Sequence, residues 1–112
     1  MLLLEDDVRR IVRLGFKEDS FAVESRGFKS LRNRDGRCVF HDGTQCTIYS
    51  DRPVGCRLYP VVFDENRNRP VMDRFCPFRA EFPLSSKAQR KSSELYVKLI
   101  AERQAESDKE KR

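Results

Sequence analysis

The sequence predicts a small α+β domain with an N-terminal helix, short β-hairpins around a cysteine cluster, and a C-terminal helix. Three observations lead there. A length of 112 residues suits one domain and leaves no room for a second core. Helical apolar spacing occurs at both ends, with turn-punctuated strand-like stretches between them. Apolar residues make up only 38% of the chain against 37% charged, and four cysteines accompany that thin core. Small domains of this composition lean on a staple, either a metal or a disulfide.

Leu4 to Leu14 reads as a helix, with Leu4, Val8, Ile11 and Val12 on one face. Glu5, Asp6 and Asp7 suit the positive end of its dipole, and Arg9, Arg10 and Arg13 suit the other end. Gly15 is the expected stop. Glu18 to Val23 adds a short helical turn anchored by Phe16 and Phe21. Phe28–Arg32 and Arg37–Phe40 read as two strands around the turn Asn33-Arg34-Asp35-Gly36. A second turn follows at Asp42-Gly43, then a brief strand Thr47-Ile48-Tyr49. Ser50 or Asp51 caps a short helix that carries Pro53 in its first turn and runs towards Leu58. Val61–Phe63 and Pro70–Met72 form a hairpin, and Cys76-Pro77 opens an irregular stretch to Pro83. Ser85 or Ser86 caps the last helix, whose stripe is Ala88, Leu95, Leu99 and Ile100, with Ser92 in the same row. The expected domain is therefore residues 1–101, followed by a charged, disordered tail over 102–112.

Met1 to Leu4 is too short for a secretory apolar core and runs straight into Glu5-Asp6-Asp7. No stretch has the length to span a bilayer. The expected setting is the cytoplasm, with no membrane partner, where thiols stay reduced and clustered cysteines more often hold metal than disulfides.

The spacing is Cys38-x7-Cys46-x9-Cys56-x19-Cys76. It contains no close C-x2-C pair, but Arg37, Arg52 and Arg57 lie next to or near the cysteines. Cations favour the thiolate that a metal needs, and they offset the charge of a four-thiolate site. Proline after Cys76 is the pattern of the last cysteine in bacterial ferredoxin runs. These features make Cys38, Cys46, Cys56 and Cys76 the expected ligands of one site, with zinc or an iron–sulfur cluster as the cofactor. Disulfides are one alternative. Another is four buried thiols acting as small apolar residues. His41 stands at x2 spacing from Cys38, either as a ligand or as a solvated residue before a turn. With one histidine, the chain has no serine–histidine–acid set for nucleophilic catalysis.

The series Gly36-Arg37-Cys38-Val39-Phe40, Cys46-Thr47-Ile48-Tyr49, Arg52-Pro53-x2-Cys56-Arg57-x-Tyr59-Pro60 and Cys76-Pro77 resembles the CxxCxxCC family of zinc- or iron-chelating proteins, the YkgJ-type cysteine-cluster proteins. The likeness covers roughly residues 3–77, with the acidic-start helix matching the one before the series. It implies metal binding by Cys38, Cys46, Cys56 and Cys76, with Arg52, Pro53 and Tyr59 as scaffold. The family's namesake cysteine run lies upstream of the first helix and is lacking here. The resemblance thus implies a shortened domain, with further cysteines upstream in the reading frame and incomplete metal binding by the chain as it stands.

Three functions follow as expectations. The first is a metal-binding module, structural or redox, without chemistry of its own. The second is an enzyme or enzyme fragment for protein modification, because a flagellin lysine methylase carries a similar cysteine domain. The third is a zinc-stabilised nucleic-acid binder using Arg26, Lys29, Arg32, Arg34 and Arg37. Nucleic acid is not the expected partner, since no stacking aromatics accompany that charge.

Overall fold

The computed structural model describes residues 1–74 and 84–110 of the chain. Helix α1 (Glu5–Arg13) starts from an extended Leu4, and Gly15 at φ 107° lies just beyond its end, where a left-handed stop belongs. Its buried face is Leu4, Asp7, Val8 and Ile11, whereas Val12 is 44% exposed. The expected stripe was therefore right at three positions and wrong at Val12. A carboxylate takes the fourth place because it has partners in the interior.

Helix α2 (Glu18–Phe21) passes directly into strand β2 (Ala22–Ser25). Strand β3 (Phe28–Leu31) lies between β2 and β1 (Leu2–Leu3) in a three-stranded antiparallel sheet. β3 thus pairs with β1 and β2, and the expected pairing of Phe28–Arg32 with Arg37–Phe40 is reduced to Arg32 O accepting from Val39 N–H at 2.9 Å. The turn that was missed is Arg26-Gly27, with φ of 55° and 83°. Two successive positive φ values give a hairpin turn whose twist matches its strands. Arginine is not a usual residue there, so the sequence did not flag it. Asp35-Gly36, with φ of 53° and 82°, closes a second hairpin from β4 (Asn33–Arg34) and β5 (Arg37–Cys38).

Residues 47–48 form a turn, and a 3-10 turn follows at Tyr49–Asp51, so the expected strand there is absent. Helix α3 (Val54–Leu58) starts from Pro53, and neither Ser50 nor Asp51 caps it. Strands β6 (Val61–Asp64) and β7 (Arg69–Met72) form the expected hairpin. Asp64 Oδ1 organises its loop by accepting from the Asn66 and Arg67 N–H groups at 2.9 and 3.2 Å. The stretch from Cys76 to Pro83 lies outside the described residues.

Helix α4 (Ser86–Glu110) begins on Ser85, whose hydroxyl oxygen accepts from Ala88 N–H at 3.1 Å. It packs on β6, β7 and α3. Ser92 and Leu99 are buried, and Tyr96 stacks on Phe63 with centroids 4.0 Å apart. The helix continues past Ile100, where the apolar stripe stops. Glu102 accepts from the Glu5 N–H at 2.9 Å, and the Arg103 guanidinium lies 4.4 Å from the Phe28 ring centroid.

The core joins Leu3, Val8, Ile11, Phe21, Ala22, Leu31, Phe40 and Ile48. Phe40 meets Phe21 at 5.7 Å and the edge of Phe16 at 5.1 Å. Replacing Ile11, which has no exposed surface, by alanine is expected to cost about 2–5 kcal/mol in urea unfolding. Removing residues from Ser107 onward should change stability by no more than about 0.5 kcal/mol, the usual range for surface changes.

Candidate metal centre

Three of the four expected ligands come from separate local structures. Cys38 ends β5 and pairs with Asn33. Cys46 pairs with His41 through an isolated antiparallel bridge. Cys56 sits in the middle of α3, with its N–H donated to Pro53 O at 3.0 Å. All three are free thiols, partly buried, and packed against the same core cluster. Cys76 lies outside the described residues.

The loop between Cys38 and Cys46 is folded by its own polar groups. Asp42 Oδ1 accepts from Thr44 N–H at 2.8 Å and from Gln45 N–H at 2.9 Å. These bonds hold the Asp42 carboxyl below its ordinary range. Thr47 then donates both its N–H (2.7 Å) and its hydroxyl (2.9 Å) to Phe40 O. The chain is thereby returned antiparallel to itself, which carries Cys46 back towards the Cys38 side of the core. His41 Nδ1 accepts from Gly43 N–H at 3.0 Å. That nitrogen is occupied by the turn, and the neutral ring carries its proton on Nε2.

Electrostatics ties the three sulfurs together. Burial pushes the Cys56 thiol up to about 11, and negative charge at Cys38, Cys46 and Asp7 adds to the rise, partly offset by the Met1 amine. Cys56 is therefore a neutral thiol at neutral pH. The expectation that flanking arginines favour its thiolate is overturned, because their side chains are engaged elsewhere. Arg52 lies 4.0 Å from the Tyr49 ring centroid and donates to Tyr49 O at 2.8 Å. Arg57 donates to Ser50 O at 3.4 Å. Arg37 lies over Gly43, where a Cβ would come within 2.8 Å of its guanidinium. The sequence showed that cations were near, but not which way they point.

Gly55 shows how closely the chain packs beside Cys56. A Cβ there would overlap the Met1 side chain, which would have to move aside, while Leu2 O would stand at ordinary contact distance, 3.6 Å. A groove of about 580 Å³ between β6 and α4 is lined by Tyr59, Phe63 and Tyr96 and by none of the described cysteines. Among the described residues, no three His, Cys, Asp or Glu side chains are gathered tightly enough to hold one ion. Cys38, Cys46 and Cys56 pack against the same core cluster but do not form a closed cage.

The fold and its core-packed thiols define a small cysteine-bearing domain of the α+β class. The chain belongs to the CxxCxxCC family, described as "putative zinc- or iron-chelating domain", whose family model matches residues 2–77. No curated protein and no solved structure matches the chain. The donor chemistry fits that family, because thiol sulfurs are soft ligands suited to zinc and to iron–sulfur clusters.

Folded Cys56 holds its proton more tightly than unfolded Cys56 does. Its contribution to stability is therefore fully present below the ordinary thiol value of 9.0 and is lost as pH rises through about 11. The urea midpoint of the metal-free protein should fall across that window. Cys56→Ser, which has no proton to lose there, should flatten the fall. An identical slope in that variant would assign the effect to another group.

Proposed function

We propose that this protein is a metal-binding module that holds zinc or an iron–sulfur cluster through Cys38, Cys46, Cys56 and Cys76. One observation carries the reading. Three of these thiols, delivered by a hairpin, a loop and a helix, pack against one small core cluster, and Cys56 senses negative charge at the other two. Free cysteines in that arrangement fit a cytoplasmic protein, where thiols stay reduced. The group would supply cross-links that a thin core lacks, and in the iron form an electron-accepting centre. The chain's own residues hold it. Asp42 and Thr47 fold the Cys46 loop, and the turn before α3 presents Cys56.

The ligands must lose protons to bind metal, so binding releases protons and strengthens as pH rises. The raised Cys56 extends this dependence to higher pH than an ordinary thiol would. No described residue favours an enzymatic reading. Lys29 and Arg32, in the basic stretch, are engaged with Glu18 at 3.2 Å and with Asp19 O at 2.8 Å.

The test is elemental analysis with a visible spectrum of anaerobically purified protein. The expected result is bound zinc, or a brown colour near about 400 nm for iron–sulfur. Cys56→Ser should weaken metal binding by more than the roughly 10–100-fold that outer-shell changes cost. Unchanged metal content and melting temperature in that variant would leave Cys56 as an ordinary buried thiol.

A further inference from the structure

The turn that presents Cys56 is held by an ion pair from a distant part of the chain. Asp7 has no exposed surface. Its Oδ2 accepts from Leu4 N–H at 2.9 Å, the half of a capping box that a leucine at the N-cap permits. Its Oδ1 leaves α1 altogether and accepts from Val54 N–H at 3.1 Å, across 47 residues of sequence. Val54 is the first residue of α3, so its N–H has no partner within that helix. Asp7 therefore supplies the cap that Pro53 cannot.

Arg10 completes the grip. Its Nη2 donates to Asp7 Oδ1 at 2.9 Å and to Arg52 O at 3.1 Å. The pair thus holds the backbone on both sides of Pro53, which is itself fully buried. Pro53 O in turn accepts from Cys56 N–H at 3.0 Å and from Arg57 N–H at 3.2 Å. The path from carboxylate to thiol is continuous: Asp7 and Arg10 fix residues 52 and 54, these fix Pro53, and Pro53 fixes the backbone of Cys56.

The geometry is not the one a pair would adopt for its own stability. Arginine binds a carboxylate best in a two-pronged fork. Here a single nitrogen serves both Asp7 and Arg52 O, and Arg10 Nε is buried with no hydrogen-bond partner among the described residues. A buried donor left unpaired costs free energy and calls for an explanation. The orientation that leaves Nε unpaired is the one that reaches Arg52 O.

We infer that Asp7 and Arg10 are positioning residues that set where the Cys56 thiol stands relative to Cys38 and Cys46, a role that rests on the metal-binding reading for its purpose but not for its geometry. Helix α1 carries no cysteine. Through this clamp it nevertheless governs one ligand position, so a change in α1 alters metal affinity without touching a sulfur.

The test uses the full chain, metal-free, with iodoacetamide alkylation read at each cysteine by mass spectrometry. Asp7→Asn removes the charge, and Asp7→Glu keeps the charge but misplaces the oxygens. With the fold verified by circular dichroism, both variants should alkylate Cys56 about tenfold faster than the parent, the scale of one lost hydrogen bond to a charged group. Cys38 and Cys46 should change by less than about twofold, as sites whose backbone the clamp does not hold. Cobalt(II) titration of the same variants should show affinity weakened by a similar factor. If the Asp7 variants do not fold, Arg10→Lys keeps a cation beside Asp7, shortens the reach to Arg52 O, and should give the same selective pattern. Equal acceleration at all three cysteines would mean general loosening and would overturn the proposal. So would a parental rate in Asp7→Glu, which would assign the Asp7→Asn effect to charge alone. The alkylation pattern decides the clamp without metal. Absence of cobalt binding by the parent protein would count against the metal reading alone.

Discussion

A buried carboxylate organises this small domain. Asp7 accepts from the start of its own helix, from the start of α3 and from Arg10, and no part of it reaches solvent. An ionised group in an apolar setting is tolerated only when its lone pairs are matched and a counter-charge is near. Those requirements fix several geometric relations at once. Helix α1 must lie against the Arg52–Val54 turn, and Leu4 must enter the helix from the extended segment that pairs β1 with β3. Breaking such a pair by removing one partner is far more costly than never having built it. The apolar core of Ile11, Phe21 and Phe40 supplies the bulk of the driving force, and the carboxylate decides the arrangement.

The three described cysteines, Cys38, Cys46 and Cys56, lie on the edge of this core. They pack against it as small apolar groups and remain free thiols. The two descriptions are compatible, because a neutral thiol suits a half-buried site and a thiolate does not. Burial and neighbouring negative charge raise Cys56, so the metal-free protein keeps it protonated. A bound cation would reverse that balance by replacing the proton with a stronger positive charge. Proton release and metal uptake at Cys56 are in this way two sides of one equilibrium, set by how deeply the core edge buries its sulfur.

The arginines near the cysteines serve the backbone. Arg52 and Arg57 satisfy the carbonyls of Tyr49 and Ser50, while Arg10 satisfies that of Arg52 itself. The residues from Tyr49 to Pro53 contain one short 3-10 turn and no strand, and side chains reach the carbonyls of Tyr49, Ser50 and Arg52. A guanidinium with several donors in fixed directions suits that work better than an ammonium does.

Much of the fold was legible in local signals. The first helix announced itself through its acidic start, basic end and Gly15. The β6–β7 hairpin and the last helix, with its Ser85 cap, followed from turn chemistry and helical spacing. The cysteine order matched a known family, because spacing and flanking residues are properties of the chain. What the sequence could not decide was pairing across distance. Asp7 looked like Asp6 and Glu5, three acids in one first turn, and only the position of Val54 N–H distinguishes it. The strand at Phe28 had two possible neighbours, and the choice fell to β1 and to β2 across an Arg26-Gly27 turn that composition did not mark. The reach of Arg52 and Arg57 depended on which carbonyls the fold brought within range. By itself the sequence determined the kinds of element, their order and the thiol chemistry available. The tertiary structure decided which side chains are buried and what they face, because burial and long-range hydrogen bonding depend on residues tens of positions away.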